Sequence, residues 1–128
     1  KRRLSTWSVI AEVGSDDRVT DDGSEIVAHE WWRPVDAIRA HHEGQLPITP
    51  PTLVSLHDLQ AEDDSSLLLS QLGERPSPRF FPRVVRDGDQ MAFLYAGDAA
   101  YESGDLSRQG ALHRTLGERG IFRYFGAD

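Results

Sequence analysis

The chain has 128 residues, enough for one domain with a buried core, and we predict a single domain over residues 1–128. Its 21 acidic and 14 basic side chains give a net charge of -7, which repels phosphates and anionic lipids and so disfavours nucleic acids and membranes as partners. The absence of cysteine excludes disulfides, thiolate metal ligands and thiol nucleophiles. No apolar run approaches the ~20 residues that cross a bilayer, and we predict a cytoplasmic protein.

Two strands are predicted in the N-terminal part of the sequence. Residues 4–13 (LSTWSVIAEV) are rich in aromatic and β-branched residues and end before Gly14. After a polar loop, residues 24–32 (SEIVAHEWW) form the second predicted strand, with polar and apolar side chains mixed on both faces. The chain begins Lys1-Arg2-Arg3 without a methionine and is in the first strand by Leu4, which favours a segment of a longer protein.

The tryptophans of these two strands are candidates for the core. Aromatic side chains bury ~150 Å² or more each, and a domain of this size needs that apolar area. We therefore predict that Trp7, Ile10 and one of the neighbours Trp31 and Trp32 are buried. The other of the two neighbours should be more exposed, because adjacent residues on a strand face opposite ways.

Helices are predicted in the middle of the sequence. Pro34 suits a first helical turn, where its missing N–H costs nothing, and this helix should run to about Glu43 and stop at Gly44. Pro50-Pro51-Thr52 is expected at the entrance of a second helix, because proline cannot donate to a sheet ladder and its fixed φ suits a helix start. Residues 66–72 predict one more short helical piece.

Two hairpins are predicted in the C-terminal part. FFPRVV and MAFLY flank the turn Asp87-Gly88-Asp89, and residues 111–116 and 121–125 flank a second turn at 117–120. Residues 4–73 thus form a core-like segment, and residues 79–128 form a β-rich C-terminal extension. The predicted class is α/β (α+β).

Most clusters of chemically active residues have a plain structural explanation. The acidic loop at 16–22 lacks the spacing and closing glutamate of a calcium loop, which favours a solvated loop. The histidines do not form a zinc-binding motif, and the side chains of His41 and His42 point about 100° apart on a helix. We interpret His29, His57 and His113 as structural or surface residues, and Asp98 after Gly97 as part of a turn.

Glu25 and Glu30 are the candidate catalytic residues. A carboxylate on a strand beside a cleft can hold Mg²⁺ or orient an attacking water molecule. Their spacing alone favours a structural or surface role, and that alternative stays open.

The sequence resembles a known family over about half its length. Residues 4–59 combine an apolar strand, a variable acidic loop, an acidic residue leading to Trp-Trp-Arg-Pro, a helix (VDAIRAHHEG) and the segment LPITPPTLVSLHDL. This order is similar to the segment that follows the signature helix in Nudix hydrolases, especially the coenzyme A and acyl-coenzyme A diphosphatases. The later Gly97, Asp98 and Tyr101 add to the resemblance.

The resemblance implies a mixed-sheet α/β/α sandwich and Mg²⁺- or Mn²⁺-dependent cleavage of a diphosphate linkage in a nucleotide-like substrate such as coenzyme A. The family's metal-binding glutamates lie in an R-E-x-x-E-E helix, and this sequence contains neither an Arg-Glu nor a Glu-Glu dipeptide. None of those ligands is therefore assigned to this chain. Some members use an acidic residue beyond the signature, which would correspond to Glu25 or Glu30.

Two functional hypotheses follow. In the first, a segment outside this chain supplies the catalytic helix. The expected partner is the N-terminal part of the same protein or a second copy in a homodimer. In the second, the chain is a non-catalytic ligand-binding or protein-interaction module derived from the Nudix fold. In either case we predict that the chain alone is inactive, because dispersed carboxylates do not replace several that converge on one metal.

Overall fold

The computed structural model describes residues 5–26 and 28–126 and belongs to the mixed α+β class. Its elements in chain order are α1 (Pro34–His42), α2 (Pro50–Leu59), α3 (Ser65–Glu74), β1 (Arg83–Asp87), β2 (Gln90–Leu94), β3 (Arg114–Glu118) and β4 (Ile121–Phe125). In the described part of the chain, no helix has the length and apolar character of a membrane span. The chain divides into two compact units, Lys1–Trp31 with Glu62–Pro76 and Trp32–Ala61 with Ser77–Asp128.

The first unit is irregular apart from α3. Residues 5–14 and 24–32 form no strand wherever they are described, so both predicted N-terminal strands are wrong; Leu4 and Val27 lie outside the described residues. β propensity mainly expresses packing against neighbouring strands, and the described residues provide no strand with which these segments pair. The short helix α3 is confirmed, and it is capped by Asp64, whose side chain accepts a hydrogen bond from the Leu67 N–H at 2.9 Å.

The predicted burial of the tryptophans is also wrong. Trp7 is 79% exposed, Trp31 is 73% exposed and Trp32 is 45% exposed, and Ile10 is exposed as well. Because the strands do not form, the alternation that would have turned one face of each strand inwards is absent. The apolar side chains of these segments therefore face solvent.

The second unit contains both predicted long helices. Pro34 stands in the first turn of α1, and the helix is followed by Gly44 in the left-handed conformation at φ 76°. Pro50 and Pro51 occupy the first turn of α2, which confirms the prediction that the Pro-Pro-Thr segment opens a helix.

The sheet of this unit is an antiparallel meander in the order β1-β2-β3-β4. Both predicted hairpins are confirmed, the first closed by residues 88–89 and the second by Arg119 and Gly120. Arg119 and Gly120 have φ values of 53° and 83°, and this pair of positive angles is typical of the two-residue turns that match the twist of a hairpin. On β4, the ring of Phe122 lies against the Cα of Gly117 on β3, where any Cβ would overlap it.

Each face of the sheet has its own apolar cluster. The helix-side cluster contains Ala37, Ile38, Ile48 and Leu53, and Leu46, Leu56, Phe122 and Tyr124 pack against it. The loop-side cluster contains Ala92, Leu94 and Ala100, and Val85, Tyr101, Leu106 and Leu116 pack against it. Since Ala92 lies in register with Arg123 rather than with Phe122, the two clusters lie on opposite faces. Helices α1 and α2 pack on β4 and cover the face with the helix-side cluster. The loop between β2 and β3 packs against the opposite face.

Candidate functional site

The structure places Glu25 and Glu30 on exposed, irregular chain in the first unit. The strand that was expected to present them beside a cleft does not form, so the predicted geometry for these two residues is wrong. Asp22 shapes the chain at this point, because its Oδ1 accepts hydrogen bonds from the N–H groups of Ser24, Glu25 and Ile26 at 2.8, 3.2 and 3.1 Å.

Asp17, Asp21 and Asp22 make hydrogen bonds to groups of the first unit. The hydrogen bonds from the Ser24 and Ile26 backbones hold the pKa of Asp22 below its ordinary value. Asp17 accepts a hydrogen bond from the Gly14 N–H at 2.7 Å, and Asp21 lies 2.9 Å from the ring of His29. Over residues 5–26 and 28–126, no three His, Asp or Glu side chains converge as a metal site requires.

Asp98 is the centre of a buried ion pair in the second unit. Arg114 donates to it from Nε at 2.7 Å and from NH2 at 2.6 Å, and the N–H groups of Ala100 and His113 also donate to it, each at 2.8 Å. Burial by itself raises the pKa of Asp98, but the hydrogen bonds from Arg114, His113 and Ala100 outweigh burial and bring the pKa below its ordinary 3.8. Both carboxylate oxygens are occupied by hydrogen bonds that close the β2–β3 loop, which makes Asp98 a structural residue.

His41, His42 and His57 gather where α1 and α2 meet β4, and we call these three residues the histidine junction. His41 is fully buried and stacks on the ring of Phe122. Its Nε2 accepts a hydrogen bond from the Phe122 N–H at 2.9 Å, so the proton of the neutral ring is on Nδ1, which donates to the Leu46 carbonyl at 2.9 Å. One imidazole thus ties α1, the connection to α2 and the outer edge of β4 together.

The other two imidazoles of the junction have buried nitrogens without partners. Among the described residues, neither Nε2 of His42 nor Nε2 of His57 has a hydrogen-bond partner. The Nδ1 of His57 lies 2.9 Å from the amide nitrogen of Gln60, which donates to it. Burial lowers the pKa of both His42 and His57, because the charged form of each ring loses its hydration.

Aromatic rings continue the junction across the helix-covered face of the sheet. Tyr124 lies 5.2 Å from His57 and 6.0 Å from His113 between ring centroids, and Tyr95 lies 5.1 Å from His113. The Tyr95 hydroxyl is hydrogen-bonded to Thr115 at 3.1 Å, and burial raises the pKa of both tyrosines. These phenols therefore stay protonated and act as packing groups.

A shallow groove lies on the opposite face, beside the β3–β4 hairpin. It encloses about 420 Å³, and its lining residues are Gln90, Leu116, Gly117, Glu118, Arg119, Ile121, Arg123 and Phe125. Two arginines and one glutamate stand around an apolar floor. The groove contains neither of the predicted catalytic residues.

A comparison of this chain with known protein families, with curated proteins and with solved structures found no significant match.

Sequence patterns did not identify the residues around which the second unit is built. Arg114 pairs with a residue 16 positions away, and His41 bonds to a residue 81 positions away, so no local spacing links either pair. The turn at Gly97 and Asp98 was the sequence feature nearest to the Asp98–Arg114 pair. A buried acidic residue after a strand requires a cationic partner. The ring of His57 lies against Tyr124, and Nδ1 of His113 lies 2.7 Å from the Ala96 carbonyl.

Proposed function

We propose that this chain is the C-terminal part of a cytoplasmic Nudix-type hydrolase, which cleaves a diphosphate linkage in a nucleotide-like substrate such as coenzyme A with Mg²⁺ or Mn²⁺. The catalytic helix would be supplied by a segment outside these 128 residues. The order of motifs over residues 4–59 carries the proposal. Its most specific local element, Pro50-Pro51-Thr52 followed by leucines, opens a helix as the resemblance implies.

In this proposal the chain contributes the frame and one acidic residue. Glu25 or Glu30 acts as a base beyond the signature helix, and the exposure of both side chains leaves them accessible to such a segment. The upstream segment would complete the α/β/α sandwich of the intact protein. Packing of that segment would cover Trp7 and Trp31, whose exposure is otherwise costly in apolar area.

One observation favours a second candidate, a non-catalytic interaction module. Trp7 and Trp31 are more than two-thirds exposed, at 79% and 73%, and large exposed aromatic side chains are typical of protein-binding surfaces. The sequence upstream of Lys1 in the open reading frame separates the two candidates. An R-E-x-x-E-E helix there supports the hydrolase, and a sequence without one supports the interaction module.

The hydrolase proposal is tested with the protein encoded by the whole open reading frame, assayed for Mg²⁺-dependent hydrolysis of coenzyme A. Glu25→Gln and Glu30→Gln are compared with Glu74→Gln, an exposed glutamate of the same unit. We expect one of the first two variants to lower kcat by about 10²-fold or more, the effect of removing a general base, and the control to leave it unchanged. Absence of turnover in the unmodified protein would reject the function, and full activity in both variants would reject the role of the two glutamates.

A further inference from the structure

The histidine junction brings three imidazoles to one contact between helices and sheet. His41 and His42 stand in the last turn of α1, and His57 stands in the last turn of α2. The ring centroids of His41 and His42 are 5.9 Å apart, and His57 lies against Tyr124 of β4. Both α1 and α2 pack on β4.

We propose that the histidine junction is an acid-sensitive latch, which holds α1 and α2 on β4 while His42 and His57 are neutral and releases both helices when these two residues are protonated. The proposal is independent of the function proposed above. Its geometric basis is that the Nε2 atoms of His42 and His57 are buried and have no acceptor among the described residues. Protonation would place a charge on a partly buried ring, and burial is the largest of the effects that oppose a charge on His42 and on His57.

The charged and titratable neighbours of His42 oppose its protonation. Arg123 of β4, His41 of α1 and His57 of α2 act in this direction, after burial, which is the largest effect. The Phe122 backbone favours the charged ring, but it has the smallest effect of the five. Since a last helical turn normally favours a cation, the lowered pKa of His42 comes from its surroundings.

His57 has fewer charged neighbours. Burial lowers its pKa, and Asp58, its neighbour on α2, acts in the opposite direction without reversing the shift. On the β4 side it faces the ring of Tyr124, whose pKa is raised so that the phenol stays neutral. No carboxylate of β4 therefore balances a proton on His57.

His41 adds a direct bond between α1 and β4. Its Nε2 accepts a hydrogen bond from the Phe122 N–H at 2.9 Å. When α1 moves, the Phe122 N–H loses this acceptor and the edge of β4 becomes open to water. Release of the helices is thus accompanied by loss of a defined hydrogen bond.

The sheet can persist when the helices leave. Its other face has the separate loop-side cluster and the buried Asp98–Arg114 pair. The pKa of Asp98 is below 3.8, so this ion pair is intact throughout the range in which histidines titrate. Acidification should therefore open α1 and α2 locally and leave β2 and β3 protected.

The sign of the pH effect follows from the lowered pKa values. The unfolded or released helices bind more protons than the latched form, so latching is complete above the ordinary histidine value of 6.5 and weakens as the pH falls below it. At about pH 5.5, one unit below that value, each histidine can raise the opening equilibrium constant by no more than about tenfold.

The test is amide hydrogen exchange of the full chain at about pH 7.5 and about pH 5.5, corrected for the intrinsic pH dependence of exchange, with β2 and β3 as the internal reference. At the lower pH we expect the equilibrium constant for opening to rise several-fold for the amides of α1 and α2, within the limit of about tenfold for each histidine. The reference amides of β2 and β3 should stay protected. The His42→Gln and His57→Gln double variant should lose this response, whereas His29→Gln, which changes a histidine of the other unit, should keep it.

Proton NMR titration of the two imidazole Cε1–H signals in the unmodified chain decides the question if the double variant fails to fold. Midpoints below 6.5 for both rings, tracking the helix signals, support the latch. The proposal is overturned if either ring titrates at or above its ordinary value, if helix opening rises by less than about twofold, or if a folded double variant keeps the full pH response.

Discussion

Asp98 and Arg114 bury opposite charges against each other in the second unit, with two direct hydrogen bonds between them. Replacing Asp98 by Ala leaves the guanidinium buried without a counter-charge, and breaking such a pair costs about 3–5 kcal/mol. We expect Asp98→Ala to lower the free energy of unfolding by that amount, measured by urea denaturation. Asp89→Ala, in the exposed β1–β2 turn, is the matched control and should change it little.

The pH dependence of the same pair has a defined sign. Because the pKa of Asp98 is lower in the folded chain than its ordinary 3.8, the stabilisation is present above that value and is lost as the pH falls through the lowered one. An Asp98→Leu and Arg114→Met double variant removes both charges and should be closer to the unmodified chain than Asp98→Ala. Equal stability of the single and double variants would contradict the ion-pair account.

Arg119 has a left-handed backbone conformation, which asparagine or glycine adopts with less strain. At φ 53° it occupies the first position of a tight hairpin turn, where Asn or Gly is preferred because L side chains strain the left-handed region. We expect Arg119→Asn to raise the free energy of unfolding by about 0.5–1 kcal/mol, measured by thermal denaturation. Arg108→Asn, at another exposed arginine, should give no such gain, and a destabilised Arg119→Asn variant would show that the arginine side chain makes a stabilising contact.

At the scale of elements, the sequence predicts those parts that depend on local signals. The prolines at 34, 50 and 51 set the starts of α1 and α2, and the glycines at 88 and 120 set the two hairpin turns. The strands expected at 4–13 and 24–32 depend instead on partners elsewhere, which local composition does not reveal. Glu25 and Glu30 were assigned through those strands, so their predicted geometry failed with them.

The link between α1 and β4 is the element-scale feature that sequence could not reveal. His41 donates from Nδ1 to the Leu46 carbonyl and accepts the Phe122 N–H at Nε2, and Phe122 lies 81 positions away in the sequence. We expect His41→Leu, which keeps the volume but none of these bonds, to lower the free energy of unfolding by about 2–4 kcal/mol. Urea denaturation followed by circular dichroism measures this, with His29→Leu as control; equal effects of the two variants would contradict the role of His41.

At the scale of the whole molecule, the two units differ in how their apolar side chains are placed. The second unit buries two clusters, whereas the first exposes Trp7 and Trp31. If an upstream segment packs on the first unit, tryptophan emission in the longer protein should shift to the blue and acrylamide quenching should fall relative to the 128-residue chain. Any tryptophan of the upstream segment is replaced by phenylalanine, so that both proteins report on the same tryptophans. Identical spectra of the longer protein and the 128-residue chain would then show that no such packing occurs.

We propose that this chain supplies the frame and one acidic residue of a Nudix-type hydrolase, and that the metal-binding helix lies outside these 128 residues. The most direct measurement is the rate of coenzyme A hydrolysis with Mg²⁺ or Mn²⁺, for the 128-residue chain and the longer protein at equal molar concentration. We expect metal-dependent turnover in the longer protein and none above background in the chain, because the described residues bring no three carboxylate or histidine ligands together. Metal-dependent turnover by the chain alone, or none by the longer protein, would contradict the account.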